Sequence, residues 1–326
     1  MKACARGRLR PVLGLGAAAL LLLQVAAWNH ARSFLNYRAG GPAAAIEALS
    51  AGDKILILFR GAARARPVND RSPAQFGLEF ETVTFSAADG ADLEAWFIPA
   101  PGDRWPVLFF HGYGTSRSSL LEEAAAVRAM GHPVLLVDLR GSGGSTGNRT
   151  TLGVREAFDV QAAAEWIRGR LPDRDGLFLY GQSMGGAAVL RAVAVLGVEA
   201  DGIVVEAVFD TMLNAVRNRF RALGWPAFPA AESLVLWGGV QCGFNGFRHN
   251  PAEYAAGTKV PTLVLHGEKD PRVTTEQAQR LFGRLVGPRF MVRFSSAGHS
   301  SCLAADSEKW RKAVRQCLEE AAAPAE

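Results

Sequence analysis

The 326-residue sequence predicts an α/β architecture: a mostly parallel central sheet with an N-terminal antiparallel hairpin, helices on both faces and a short helical lid insert. Two observations carry that prediction. From Phe80 to Glu320, short apolar runs of strand length alternate with helical patterns, as right-handed crossovers between parallel strands require. One of these steps, Gly176 to Val195, holds Gly181-Gln182-Ser183-Met184-Gly185, a G-x-S-x-G pentapeptide between an apolar run and an Ala/Val/Leu-rich stretch of helical length. Small residues two positions either side of the serine permit a tight turn that lifts its hydroxyl clear of the backbone.

The elements follow in order. Phe80–Ser86 and Leu93–Pro99 alternate about an Ala88-Asp89-Gly90 turn and read as the hairpin. Pro106–Phe110 is a buried strand ending at His111-Gly112-Tyr113-Gly114, and a helix capped by Ser116 or Ser118 reaches Met130. Pro133–Asp138 is the next strand, and Leu152–Arg170 is a helix with Val154, Phe158, Ala162, Trp166 and Ile167 on its apolar side. The pentapeptide strand and helix come next, then a strand at Ile203–Val208. Residues 211–258 break the rhythm with seven aromatic residues and no clean period; lying on the side where the pentapeptide turn opens, they read as the lid. Strands at Thr262–His266 and Phe290–Phe294 and helices at Thr275–Leu285 and Ser307–Glu320 complete the pattern.

Before this body lies a leader. Lys2, Arg6, Arg8 and Arg10 precede 18 uncharged residues, Pro11 to Trp28, about 27 Å as a helix at ~1.5 Å per residue. The expected organisation is therefore a signal peptide or membrane anchor over 1–28, a juxtamembrane link over 29–75 and the α/β domain with its insert over 76–326. An uncleaved transmembrane anchor is favoured over cleavage at Val25-Ala26-Ala27. The basic flank keeps the N-terminus in the cytoplasm and sets the domain on the periplasmic side, the alternative being a secreted or periplasmic protein after cleavage. Within the link, Ala43–Leu49 reads as a short helix, and the apolar run before Arg60 lies either against anionic headgroups or on the body.

Charge and cysteines exclude several classes. The net charge of +5 is carried by the leader: residues 1–71 hold 11 Lys/Arg against 3 acids, and residues 72–326 hold 25 against 28. A slightly acidic folded domain argues against a nucleic-acid partner. Cys4, Cys242, Cys302 and Cys317 lack metal-ligand spacing, so neither metal nor cofactor is expected; Cys302 and Cys317 are open to pairing or to remaining buried thiols.

A serine hydroxyl needs a base within reach, itself oriented by a carboxylate. The strand Thr262–His266 runs into Gly267-Glu268-Lys269-Asp270, and the last strand runs into Gly298-His299. Ser183 is thus the candidate nucleophile, Asp270 the orienting acid and His299 the base, in the chain order Ser, Asp, His. Of six histidines only His299 follows the final strand; Glu268, Glu206 and Asp210 are the rival acids. Backbone N–H groups of Met184 and Tyr113 are the candidate oxyanion donors. Asp138 and Arg140 read as fixing their own loop through hydrogen bonds and a local ion pair.

With these motifs assembled, the chain resembles the α/β-hydrolase superfamily, in particular its serine aminopeptidase-like and Bem46-like branches. The resemblance rests on His111-Gly112-Tyr113-Gly114, Asp138-Leu139-Arg140-Gly141-Ser142-Gly143, Gly181-Gln182-Ser183-Met184-Gly185-Gly186, Gly267-Glu268-Lys269-Asp270 and Gly298-His299, across Phe80 to Glu320. It implies an α/β-hydrolase fold, a serine hydrolase mechanism through an acyl-enzyme and, in the Bem46-like branch, an N-terminal membrane segment. The insert departs from aminopeptidase caps: it is short, rich in aromatics and Arg217, Arg219 and Arg221, with Glu232 and Glu253 its only acids. The expected substrate is a small or lipid-like carboxylic ester or thioester of an apolar acyl group. A peptidase or amidase and a non-catalytic envelope scaffold are the alternatives.

Overall fold

The computed structural model describes residues 3–38, 60–61 and 64–322, with side chains described from residue 16 onward. The expected Ala43–Leu49 helix and the apolar run before Arg60 lie outside the described residues. A hairpin of β3 (Glu81–Ser86) and β4 (Asp92–Ile98) opens the main sheet, followed by β5 (Val107–Phe110), β6 (Val134–Val137), β7 (Phe178–Gln182), β8 (Gly202–Glu206), β9 (Thr262–Gly267) and β10 (Arg289–Phe294). A separate two-stranded parallel ribbon is made by β1 (Tyr37–Arg38) and β2 (Arg64–Ala65). The main sheet runs β10-β9-β8-β7-β5-β6-β4-β3: six parallel strands with the hairpin pairing antiparallel on β6. The order steps outward in both directions from β5, so β5 and β7 border the point of reversal, and loops at their C-terminal ends open into a common crevice.

Strands β5 and β6 are buried along their whole length because helices cover both faces. On one face α3 (Glu156–Arg170) and α4 (Met184–Leu196) pack Ala157, Val160, Ala163 and Ile167, with Ala187, Ala188 and Leu190, onto Leu108, Phe110 and Leu179. The other face carries α2 (Leu121–Ala129) and, near the C-terminus, α10 (Ser307–Ala321), whose Trp310 and Val314 pack on Phe109, Phe178 and Tyr180. Each buried Val, Leu, Ile or Phe among these contributes about 1.5–3 kcal/mol of transfer free energy.

Between β8 and β9 lie α5 (Met212–Ala222), α6 (Ala230–Cys242) and the short α7 (Pro251–Ala255); α8 (Thr275–Arg284) follows β9, and α9 (Cys302–Ala305) precedes α10. Thr211 caps α5 by accepting from Asn214 N–H, and Gly243 ends α6 with φ +76°. The insert has no clean period because α6 is covered on two sides. Ala231, Val235 and Gly239 are buried toward the body, and the first helix lies along Ser233, Trp237 and Gly238.

That first helix, α1 (Ala3–Leu35), spans the expected anchor segment and packs on the insert through its C-terminal half. Gln24 accepts a hydrogen bond from Trp237 Nε1 (2.8 Å) and donates to Ser233 Oγ (3.1 Å), Trp28 meets Trp237 edge-on, and Gln241 donates to the Trp28 carbonyl. Among the described residues no helix is long and apolar enough to cross a membrane. Ala31 and Leu35 are buried, and Tyr37 continues into the ribbon, so residues 24–38 form part of the folded body.

Candidate active site

The turn after β7 is built by its glycines. A Cβ at Gly181 would lie 2.5 Å from Gly186 Cα, and one at Gly185 would run into the Phe110 carbonyl. Ser183 between them adopts φ +51° and ψ −110°, a strained conformation for a residue with a side chain, costing on the order of 1–3 kcal/mol. Its amide donates to the Glu206 carbonyl (2.8 Å), which holds the turn on β8 while the hydroxyl projects from the sheet edge.

Asp270 stands on the loop after β9. One carboxylate oxygen accepts from the amides of Arg272 (2.7 Å) and Val273 (3.0 Å); the other lies 2.7 Å from His299 Nδ1. The opposite ring nitrogen, His299 Nε2, lies 3.0 Å from Ser183 Oγ. With an ionised Asp270 accepting from Nδ1–H, the neutral imidazole has its Nε2 lone pair facing the serine hydroxyl. The structure therefore brings together the three residues singled out in the sequence. The rival acids are engaged elsewhere: Glu268 pairs with Arg293 (3.3 Å), Asp210 with Arg280 (2.9 Å), and Glu206 is buried under the site.

Met184 N–H, at the first position of α4, belongs to the group of amides that a helix start leaves without an intrahelical acceptor. The β5 loop crosses close above: a Cβ on Gly112 would lie 3.7 Å from Ser183 Cβ, which brings Tyr113 to the serine's edge. Asp138 and Arg140 do fix loops, but not through an ion pair with each other. Asp138 accepts from the amides of Arg117 and Gly144 (both 2.8 Å) and from Asn69, while Arg140 pairs with Asp159 (2.6 Å) and Asp89 (2.5 Å). The partners are distant in sequence, which is why local reading missed them.

Beneath the histidine loop sits a group that no local sequence pattern marks. Buried Glu206 accepts from Gln182 Nε2 and the Cys302 amide (both 3.1 Å) and from Tyr180 OH, and buried Glu123 accepts from Ser301 Oγ. Burial raises both carboxyls above their ordinary range, and Glu206 adds to the rise at Glu123. The pair ties the loop after His299 to β7, β8 and α2. Cys302 and Cys317 are free, buried thiols, which settles their state.

The serine opens into a cavity of about 180 Å³ lined by Ser183, His299 and Tyr113, by Met212, Val216 and Val235 of the insert, and by Ala31, Phe34 and Leu35 of α1. Phe34 stacks on Tyr113 (centroids 4.3 Å), whose hydroxyl donates to the Phe34 carbonyl (2.7 Å). Among the described residues no Asp or Glu lines the cavity, while Arg219 and Arg272 do. Among the described residues no cluster of three His, Cys, Asp or Glu is arranged to hold a metal ion.

This fold and geometry agree with likenesses to known proteins. Residues 102–223 match the family model Hydrolase_4, serine aminopeptidase, S33, a span that includes Ser183 and ends before Asp270 and His299. An uncharacterized protein of Mycobacterium tuberculosis is 29% identical over 244 residues, 74% of this chain and 79% of its own. Protein bem46 of Schizosaccharomyces pombe is 24% identical over 226 residues, 66% of this chain and 69% of its own. Among solved structures, the Pyrococcus furiosus esterase Pf2001 superposes with a TM-score of 0.68 at 23% identity, covering 79% of this chain and 97% of the esterase. The Exiguobacterium antarcticum esterase EaEST gives 0.57 at 17%, covering 73% and 100%. The chain has the α/β-hydrolase fold.

Proposed function

We propose that the protein is a serine hydrolase that cleaves carboxylic esters or thioesters of apolar acyl groups through an acyl-enzyme. The observation that carries this reading is the relay Asp270–His299–Ser183, at 2.7 and 3.0 Å, opening into a cavity walled by aliphatic and aromatic side chains. In this reading His299 Nε2 takes the Ser183 proton as Oγ attacks the acyl carbonyl. The resulting oxyanion is held by the amides of Met184 and Tyr113, worth about 3–4 kcal/mol for each donor. His299 then returns the proton to the departing alcohol or thiol, and a water activated by the same imidazole releases the acid. Asp270 keeps the ring in the productive tautomer.

The family model's description raises a peptidase as the second reading. A substrate with a free amino terminus needs acids in its subsite, and the cavity lining offers arginines instead, so the ester reading is preferred. A binding scaffold has no use for the relay. Labelling by a fluorophosphonate probe tests the proposal: the wild-type protein should react and Ser183→Ala should not. A folded wild-type protein that stays unlabelled would sink it.

In the same reading the chain is held at a membrane face by its N-terminal segment, with the hydrolase domain outside the cytoplasm. Exposed Leu20, Leu21, Leu22 and Val25 on α1 support attachment, and the basic residues before them support the orientation. Membrane fractionation with protease accessibility on intact cells checks this; full-length protein recovered in the soluble cytoplasmic fraction would refute it.

A further inference from the structure

Helix α5 presents three arginines in alternation. Arg217 and Arg221, four apart, are both engaged: Arg217 pairs with Glu232 at 2.5 Å, and Arg221 donates to Asn218 Oδ1 at 2.9 Å. Arg219 lies between them in sequence and points the other way, into the cavity wall. Its guanidinium carbon sits 4.6 Å from the Phe34 ring centroid and 5.7 Å from that of Tyr113. A second guanidinium, Arg64, lies 5.0 Å from the same Tyr113 ring, and Arg272 lines the cavity beside Val273.

Among the described residues no carboxylate pairs with Arg219, Arg64 or Arg272. Two guanidiniums, Arg219 and Arg64, thus lie at the Tyr113 ring, and Arg272 lines the same cavity as Arg219, with no acid among the described residues paired to any of them. Burial and the neighbouring Arg272 and Arg64 push Arg219 down to about 10, a measure of how poorly the protein itself compensates this charge. Stacking on Phe34 and Tyr113 fixes the plane of the guanidinium, and its planar fork of N–H donors matches phosphate or carboxylate.

We propose that Arg219, with Arg272 and Arg64, forms an oxyanion-binding subsite at the acyl cavity, so that the substrate is an amphiphile carrying a phosphate or carboxylate group as well as an apolar chain. This rests on the ester-hydrolase reading and narrows it to anionic substrates. The apolar chain occupies the space between α1 and the insert, and the anionic group meets Arg219 beside Tyr113. The same charges disfavour a substrate with a free ammonium group.

Binding of dodecyl phosphate, dodecanol and inorganic phosphate to the full-length Ser183→Ala protein, followed by calorimetry at low and high salt, tests the subsite without needing turnover. Dodecyl phosphate should bind at least about tenfold tighter than dodecanol, with the advantage shrinking as salt rises. Adding Arg219→Gln should erase most of that advantage, and Arg219→Lys should restore part of it. Inorganic phosphate that competes identifies an autonomous anion site; failure to compete identifies a headgroup site that needs the attached chain. Equal affinity for dodecanol and dodecyl phosphate, or an undiminished advantage in Arg219→Gln, would overturn the subsite. Should Arg219→Gln not fold, Arg64→Gln with Arg272→Gln, both at exposed positions, must reduce the advantage instead. Fluorophosphonate labelling of the wild type reports separately on the hydrolase reading, so the two can fail independently.

Discussion

The ring of Phe34 lies nearly flat on that of Tyr113, 12° from parallel, so the end of the first helix braces the loop beside Ser183. Removing it takes away both a wall of the cavity and a stack worth about 0.5–1.5 kcal/mol beyond area burial. Phe34→Ala should therefore raise KM for a dodecanoyl ester by about fivefold or more while changing an acetyl ester much less. Steady-state kinetics over an ester series of rising chain length checks this; a uniform loss across the series would contradict it.

Asp270 and Glu268 share one loop but differ in partners, and their substitutions should differ accordingly. Asp270→Asn should lower kcat by about 10³–10⁴-fold, because the amide favours the wrong histidine tautomer. Glu268→Gln, which loses only a half-exposed ion pair with Arg293, should stay within about twofold. The comparison is made with the same p-nitrophenyl ester, and equal effects would remove Asp270 from its proposed role.

At Gly185 the obstacle is backbone, the Phe110 carbonyl, which cannot swing aside as a side chain can. Gly185→Ala should cost on the order of 3 kcal/mol, the upper range for overpacking. Urea unfolding followed by tryptophan fluorescence should show the midpoint falling; an unchanged midpoint would mean that the turn relaxes.

Stability should fall as pH rises between about 4.5 and 8. Glu123 moves from an ordinary value of 4.5 up to about 8 in the folded protein, through burial and then the charge of Glu206. Over that window the unfolded chain has released this proton while the folded chain retains it, so rising pH favours unfolding; below about 4.5 the penalty is absent. Glu123→Gln should flatten the decline of Tm between pH 5 and 8, and a parallel decline in both proteins would refute this account.

The sheet was largely legible because its central strands are uniformly apolar and alternate with helical patterns, and the serine turn because its glycines are sterically obligatory. Asp270 and His299 could be located because each follows a strand end by a few residues. What sequence could not supply is pairing across long separations. Gln24 with Trp237 and Phe34 with Tyr113 join segments roughly 80 to 210 positions apart, and no local pattern marks them. Glu206 drew notice only as a rival acid, since nothing in its neighbourhood points to Glu123. Arg219 was seen as part of a basic insert, but which arginines would find acids depended on how α5 turned.

The hydrogen bonds from Gln24 to α6 have a practical bearing on how this protein is handled and how it matures. Trimming an apolar leader is ordinary practice in preparing an enzyme, and the Val25-Ala26-Ala27 site is where a peptidase would do the same. Either cut discards Gln24, and trimming as far as Asn36 also takes away Ala31, Phe34 and Leu35, leaving a tunnel open along one side as a gutter. A shortened protein would still have Ser183, Asp270 and His299, and any activity it showed would carry a different selectivity.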